Sequence, residues 1–163
     1  MKKQRETRVQ DGAAMSWAPI PEHIHLEHRE ILDAEQADAM GVRVSSVLWE
    51  RIGVGGAVLP HYHDVAEIIH ITRGRVKLLC NGEWKSQGAG DTFHVPAGTV
   101  HSVANDDTEP TEQISIFLPA GDDNPPNQFF KTYLEDVPLE NNHAPSEKEM
   151  PLEKQAPVEA FSL

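Results

Sequence analysis

The sequence predicts an all-β domain, either a sandwich or a barrel, and three observations support this class. Between Val42 and Leu118, short runs of β-branched and apolar residues are interrupted at close intervals by Gly, Pro and Asn. The dipeptide Asn81-Gly82 separates two of these runs and is a strong signal for a two-residue hairpin turn. No long helical period interrupts the region. Most of the ordered chain is therefore expected to be strand.

Seven segments in this region have the composition of strands. They are residues 42–52, 63–74, 75–80, 83–87, 91–96, 101–105 and 111–119. One short helix is expected upstream at Ala34–Met40, where Gly41 supplies a helix end.

The 163 residues are long enough for one domain with a single core. Residues 1–41 are interpreted as a partly flexible N-terminal arm, residues 42–120 as the barrel, and residues 121–163 as a C-terminal extension. Prolines spread among acidic residues predict a mobile end to the extension. A tail that lies along a partner subunit is the alternative.

Composition and charge exclude several classes of partner. The chain carries 14 Lys and Arg against 26 Asp and Glu, and this net charge of −12 disfavours binding to nucleic acid or to an anionic membrane. It has no apolar run long enough to span a bilayer, so a cytoplasmic location is expected. The single cysteine, Cys80, excludes an internal disulfide and a cysteine-based zinc site. A bound metal would need His and carboxylate ligands.

Three polar residues share one face of a segment that otherwise looks like a buried strand. His61, His63 and Glu67 are separated by even steps, so an extended chain would point them the same way. Burying two imidazoles and a carboxylate is costly unless they are paired, and a divalent cation would offset that cost. His101 follows the turn at residues 96–98 and can point inward as a further ligand. A hydrogen-bonded polar core without metal is the alternative.

At these residues the sequence resembles the cupin family. The first motif consists of Gly55, His61, His63, Glu67 and Gly74, separated by five, one, three and six residues. The second consists of Gly90, Pro96, Gly98, His101 and Asn105, separated by five, one, two and three residues. The resemblance spans residues 42–118. It implies a cupin jelly-roll barrel, also called a double-stranded β-helix, with irregular N- and C-terminal arms.

The resemblance also implies one divalent metal ion, held by His61, His63, Glu67 and His101. Three imidazoles and a carboxylate suit manganese or iron, which we expect first, and also nickel, cobalt or zinc. Four protein ligands leave two positions of a six-coordinate ion open, as a catalytic site requires. Glu67 is the candidate catalytic residue, because the corresponding glutamate in some cupins is thought to leave the metal and act as a base.

Three functions follow from the resemblance. The first is a metal-dependent enzyme, an oxidoreductase or lyase type, that acts on a small oxygenated or carboxylate metabolite by dioxygenase, decarboxylase, isomerase or lyase chemistry. The second is a small-molecule or sugar binding or sensor module without catalysis. The third is similar to the methylthio-sugar-phosphate methylsulfurylases and would use the thiol of Cys80. Its phosphate contacts would come from Arg43, Arg51, Arg73 or Lys77. Core packing is the simpler interpretation of Cys80.

Other side chains carry weaker expectations. The segment with His23, His25 and His28 is interpreted as solvent-exposed, with a second metal site as the alternative. His70 and His94 are expected to face outward. The pocket wall is expected to include Trp49, Phe93 and Ile116 together with part of the N-terminal segment.

Apolar residues with outward parity suggest how the molecule assembles. Ile68 is expected on the outer face, and Phe117 opposes Ile114 and Ile116, so both faces of the sheet carry apolar side chains. Such a sheet needs cover on its outer side. A homodimer is therefore predicted, with a small molecule as the other partner.

Overall fold

The computed structural model describes residues 6–121, 130–139 and 161–162. Most of the chain that was expected to be mobile, residues 140–160, lies outside these ranges. The elements, in chain order, are a 3-10 turn (Gly12–Ala14), β1 (Ala18–Pro19), β2 (Ile24–Leu32), α1 (Ala34–Met40), β3 (Ser46–His63), β4 (Ala66–Arg73), β5 (Arg75–Cys80), β6 (Glu83–Gly88), β7 (Thr92–Val95), β8 (His101–Asn105), β9 (Thr111–Leu118), β10 (Lys131–Leu134) and β11 (Phe161–Ser162).

The strands form one antiparallel sheet whose main path runs β6-β5-β8-β3-β9-β4-β7. Strand β3 lies at the centre and also pairs with β2 and β10. On their other sides, β2 pairs with β1 and β10 pairs with β11. The predicted all-β class is confirmed. The two-residue turn at Asn81-Gly82 is confirmed as well, because both residues have positive φ, 53° and 79°, between the paired strands β5 and β6.

Strand β3 is longer than the sequence indicated. A strand ending at residue 52 was expected, but β3 continues for 18 residues through a run of glycines to His63. The glycines bend the strand without ending it. Gly55 has a φ of 72°, and a side chain at Gly56 would place its Cβ 2.7 Å from the carbonyl oxygen of Ile24 on the neighbouring strand.

The arms are more regular than their composition suggests, because both add strands to β3. Strand β2 pairs along the first part of β3, and β10 pairs with its last three residues. The alternation in β2 is hidden in the sequence because polar residues also occupy positions of inward parity: His28 and Glu30 pair with Glu50 and Leu48 of β3. The start of β2 and the whole of β10 are thereby brought near the end of β3 that carries His61 and His63.

Helix α1 has the predicted bounds. Asp33 caps it by accepting a hydrogen bond from the backbone N–H of Gln36, whose side chain in turn accepts from the N–H of Asp33. Gly41 ends the helix with a φ of 75°. No helix in the described part of the chain is long and apolar enough to cross a membrane.

The apolar interior consists of two clusters. The larger is formed by residues from the N-terminal arm and most of the barrel strands, namely Ile20, Leu26, Ile52, Val58, Ile69, Ile71, Val76, Leu78 and Val103. The smaller consists of Leu48, Val65, Phe117 and Phe130. Phe130 comes from the C-terminal extension and is 2% exposed, so this segment contributes to the core as well as to the sheet.

The outer face of β3 carries a cluster of aromatic and basic side chains. The Trp49 and Trp17 rings are 5.0 Å apart, and the guanidinium of Arg29 lies 4.3 Å from the Trp17 ring. Farther across the sheet Ile68 and Ile116 are half-buried, whereas His70 and His94 are exposed as expected.

Asn105, the last residue of the second motif, is a structural residue. Its side-chain amide donates hydrogen bonds to the carbonyl oxygens of Ile52, Gly53 and Glu109 at 2.9 to 3.1 Å. Its side-chain oxygen accepts from the backbone N–H of Asp107 at 2.7 Å. One buried side chain therefore joins the bent part of β3 to the turn between β8 and β9.

Replacing Asn105 by Ala removes these four bonds and leaves buried backbone groups without partners. We expect Asn105→Ala to lower the free energy of unfolding by about 2–4 kcal/mol in urea titrations. Ser86→Ala, at an exposed position of β6, is the control and should stay within about 0.5 kcal/mol of the parent. Equal stability of the two variants would contradict the assigned role.

Candidate metal centre

The structure brings all four predicted ligand residues together in the interior. His61 and His63 are at the end of β3, Glu67 is near the start of β4, and His101 begins β8. All four are buried, and the potential ligand atoms lie within 4.8 Å of one another. The Nε2 atoms of His61 and His63 are 3.0 Å apart, and Oε2 of Glu67 is 2.8 Å from His101 Nε2 and 3.2 Å from His63 Nε2.

The predicted single strand through His61, His63 and Glu67 is broken in the structure. His61, His63 and Glu67 do not belong to a single extended segment, because a bend at residues 64–65 ends β3 before β4 begins. In the sheet β9 lies between these two strands. The three side chains face the same interior because the sheet curls, so parity predicted the shared face although the segment is broken.

Backbone carbonyl groups fix the orientation of two imidazoles. Nδ1–H of His61 donates to the carbonyl oxygen of Leu59 at 2.6 Å, and Nδ1–H of His101 donates to that of Thr99 at 2.9 Å. A carbonyl can only accept, so Nε2 of each ring carries a lone pair toward the cluster when that ring is neutral. In the metal-free protein Nε2–H of His101 donates to Glu67 at 2.8 Å. Nδ1 of His63 is hydrogen-bonded to Oγ1 of Thr132 at 2.8 Å.

This arrangement fits a divalent cation. Imidazoles that ligate a metal ion usually engage their second nitrogen with a carbonyl, a carboxylate or another polar group, and all three rings do so here. Three imidazole nitrogens and one carboxylate oxygen that converge in an apolar interior form a ligand set for a first-row divalent ion.

The protonation of the cluster is governed by burial and by the contacts among its members. Burial lowers the pKa of His61 well below its usual range, and the neighbouring charges of His101 and His63 add to this effect. Burial would raise the pKa of Glu67, but hydrogen bonds from His101 and His63 outweigh it and hold this pKa well below its usual range. Burial opposes a charge on His101, yet the bond to Glu67 raises the pKa of this imidazole.

A small cavity of about 20 Å³ lies beside the cluster, which is room for one or two water-sized species. Its apolar lining comes from Ile20, Leu26, Val58, Ile69, Val103 and Phe117. Besides the cluster itself, its polar lining comes from His23, Glu50, Gln113 and Thr132. The expected contribution of the N-terminal segment is present.

The other expected wall residues do not line this cavity. Trp49, Phe93 and Ile116 are all absent from its lining. Trp49 points to the outer face because the adjacent Glu50 takes the inward position of β3. Phe93 packs against the larger core cluster, and Ile116 is half-buried at an outward position of β9.

The interpretation of the N-terminal histidines is partly wrong. His25 is exposed and His28 half-buried, but His23 is buried and lines the cavity. The backbone N–H of Leu59 donates to Nδ1 of His23 at 3.0 Å, which places the proton of a neutral ring on Nε2. Within the described ranges the cluster of His61 is the only group suited to a metal, so the alternative of a second site finds no support.

Sequence reasoning missed Glu50, although a signal was present. Glu50 alternates with Leu48 and Ile52 on β3 and is 5% exposed, so parity alone would have placed its carboxylate inside. Oε2 of Glu50 accepts hydrogen bonds from Gln113 Nε2 and Ser115 Oγ, each at 2.7 Å. Burial raises the pKa of Glu50 to about 7, with a further contribution from the charge of Glu67.

The residues proposed for thiol chemistry lie elsewhere. Cys80 is half-buried against the larger core cluster, which agrees with its interpretation as core packing, and it does not line the cavity. Arg51 pairs with Glu27 at 2.7 Å, and Arg73 lies 3.8 Å from Glu112. The alternative based on Cys80 therefore has no support from the position of its residues.

Comparison with known proteins identifies the domain. A family model described as a cupin domain matches residues 48–117. These residues form a cupin domain. The match begins in β3 and ends in β9, and it contains all four residues of the cluster. A search of curated proteins finds no significant match.

Solved structures show the same cupin fold at low sequence identity. A sugar phosphate isomerase of the cupin superfamily from Silicibacter pomeroyi is 18% identical over 80% of this chain and 83% of its own, with a TM-score of 0.60. The polyketide cyclase RemF from Streptomyces resistomycificus is 16% identical over 94% and 100%, also at 0.60. A predicted oxalate decarboxylase from Thermotoga maritima is 20% identical over 68% and 98%, at 0.59.

The raised pKa of Glu50 makes a prediction for the metal-free protein. The folded state holds the Glu50 proton to about pH 7, whereas the unfolded chain loses it near 4.5. The parent should therefore lose stability relative to Glu50→Gln as the pH rises between these values, by about 3 kcal/mol in total. Urea unfolding of both proteins at about pH 4.5 and pH 8 measures the difference.

Glu30→Gln serves as the control for this comparison. Glu30 also accepts a hydrogen bond from a serine, Ser46 Oγ at 2.7 Å, but it is exposed on β2 and does not line the cavity. Parallel stability curves for the parent and Glu50→Gln would contradict the buried, proton-holding carboxyl group.

Proposed function

We propose that this chain is a metal-dependent enzyme in which His61, His63, Glu67 and His101 hold one divalent ion. The observation that carries the proposal is the set of hydrogen bonds on the outer nitrogens of the rings. They leave the Nε2 atoms directed at one point beside a buried carboxylate. Manganese or iron is the proposed ion, with nickel, cobalt or zinc as alternatives that suit the same ligands.

A bound ion would supply Lewis acidity, and with iron or manganese also redox chemistry, to a small oxygenated or carboxylate substrate. The chain itself orients the ligands, excludes water with the apolar lining, and places further polar groups on the cavity wall. Glu67 is proposed as a ligand first, because its low pKa favours the carboxylate form. Its role as a base stays a prediction.

The names of the structural neighbours, an isomerase, a cyclase and a predicted decarboxylase, support a catalytic role in general terms. Dioxygenase, decarboxylase, isomerase and lyase activities remain the proposed reaction types. A binding or sensor module without catalysis is the competing function. Oxygen uptake, or a change in the spectrum of the bound metal when oxalate or a catechol is added, would favour the enzyme.

The remaining expectations stay predictions. The domain bounds of 1–41, 42–120 and 121–163, the homodimer and the cytoplasmic location belong to this group. The half-buried Ile68 and Ile116 on the outer face support the proposed dimer.

Elemental analysis of protein purified without chelators tests the metal site. We expect about one equivalent of a divalent metal per chain, and its loss in His61→Ala, because the remaining ligands lose both a donor and their shared geometry. His70→Ala, which changes an exposed histidine on β4, should retain the metal. If the parent protein contains no metal and takes none up, the enzyme proposal is wrong and the binding module without catalysis takes its place.

The hydrogen bond between Thr132 and His63 leads to a second prediction about the metal. Thr132→Val keeps the shape of the side chain and removes the partner of Nδ1, so metal affinity should fall about 10- to 100-fold in a competition titration with a chelating dye. Thr92→Val is the matched control, because Thr92 Oγ1 makes a similar bond to Nδ1 of His70 at 2.7 Å on the surface. Equal loss in both variants would mean that the bond does not act on the metal site.

A further inference from the structure

Glu50 is a second buried carboxylate in the cavity, and it does not belong to the metal-ligand set. The four ligand atoms lie within 4.8 Å of one another, and Glu50 is not a member of this group. It nevertheless lines the same cavity and is only 5% exposed. Glu67 of β4 and His101 of β8 are charged groups that act on it, and His28 of β2 is paired opposite it in the sheet. A carboxylate in this place is costly to bury and therefore requires an explanation.

The environment of Glu50 fixes its position but leaves its charge free to change. Its oxygen Oε2 is held by Gln113 and Ser115, which are both neutral donors on β9. Glu67, in contrast, contacts two imidazoles and is held in the carboxylate form. Two carboxyl groups in one site with such different environments are typical of a division between a charged group and a group that exchanges protons. In the metal-free protein burial raises the pKa of Glu50 to about 7.

The lining also restricts the charge of the substrate. No Lys or Arg lines the cavity within the residues that the structure describes. Arg51 and Arg73 are engaged with Glu27 and Glu112 outside it. A phosphate or a dicarboxylate would therefore approach the carboxylate of Glu50 without a counter-charge from the cavity wall, whereas a hydroxyl group would donate a hydrogen bond to it. The volume of about 20 Å³ has room for one or two water-sized groups, so the cavity admits the reacting end of a substrate and leaves the rest outside.

We propose that Glu50 is the catalytic base of this site and that the substrate is a small uncharged α-hydroxy carbonyl compound. The inference rests on the proposed metal-dependent function and specifies its substrate class and its base. The proposed substrate is uncharged, unlike the sugar phosphate in the name of one structural neighbour.

The proposed reaction is an isomerisation. Glu50 takes a proton from the carbon that carries the hydroxyl group. The C–H electron pair forms the double bond of an enediolate, and the carbonyl π pair moves to oxygen. Glu50 exchanges this proton with water and then returns a proton to the former carbonyl carbon, while the hydroxyl proton passes between the two oxygens through solvent. A hydroxyketone becomes a hydroxyaldehyde, no oxidant or reductant is needed, and Glu50 ends in its initial state.

Exchange of substrate hydrogen with solvent tests the base directly. Metal-loaded full-length protein is incubated with hydroxyacetone in D₂O, and proton NMR follows the hydrogens on the hydroxyl-bearing carbon. We expect Glu50→Gln to slow this exchange by about 10²- to 10⁴-fold. Glu50→Asp keeps a carboxylate but moves it away from the substrate by one methylene group, so exchange should also be slow in this variant. Glu30→Gln, outside the cavity, should match the parent.

Two readouts do not depend on turnover. Elemental analysis should find the same metal content in Glu50→Gln as in the parent, since Glu50 is not a ligand. The infrared band of a protonated carboxylic acid in metal-free protein at about pH 6 should be lost in Glu50→Gln and retained in Glu30→Gln.

The outcomes separate this inference from the function on which it rests. Failure of the parent to bind any metal overturns both. Metal-loaded parent that does not exchange hydroxyacetone, or that exchanges dihydroxyacetone phosphate faster, overturns the substrate class. Exchange by Glu50→Gln at the rate of the parent overturns the role of Glu50 as base. Slow exchange with full metal content supports the proposal.

Discussion

The backbone of Leu59 organises the site, because its N–H and C=O groups each hold one imidazole. Its carbonyl oxygen accepts from His61 Nδ1–H, and its N–H donates to His23 Nδ1. These backbone groups can bond to side chains instead of to β8, because the pairing of β3 with β8 shifts register between Val58 and His61. Pro60, which has no N–H, lies within this interruption. One irregularity in the central strand therefore fixes opposite tautomers in two neutral rings. His61 carries its proton on Nδ1, and His23 carries its proton on Nε2.

The same irregularity connects both arms to the site. His23 belongs to the N-terminal arm, and the carbonyl oxygen of Pro60 accepts from the backbone N–H of Glu135 in the C-terminal extension. Next to it, Thr132 of β10 bonds to His63. The region matched by the cupin model ends at residue 117, so these contacts come from outside it. The barrel supplies the four clustered residues, and the arms supply much of what orients and encloses them.

Much of the site could be predicted from the sequence because local spacing determines it. The four clustered residues followed from two motifs and from strand parity, and the same parity would have revealed Glu50 between Leu48 and Ile52. His23 and Thr132 could not be found in this way. Their positions depend on where β2 and β10 pair with β3, and pairing between distant segments leaves no periodic signal in either one. The continuation of β3 through its glycines was hidden for a related reason, since only the close approach of β2 explains why the strand bends there without ending.

The contact between Thr132 and His63 couples the order of the C-terminal extension to the metal. If an ion requires Nε2 of His63 as a lone-pair donor, Nδ1 of that ring carries the proton, and Oγ1 of Thr132 on the docked β10 lies 2.8 Å away as its acceptor. Two events that stabilise one state must strengthen each other to the same degree. Metal binding should therefore hold β10 against β3, and the docked strand should tighten the metal site. Phe130 adds to this coupling, because its ring stacks on Phe117 at 4.2 Å and meets the His63 ring edge-on at 5.2 Å. The extension is thus part of the site rather than an appendage to the barrel.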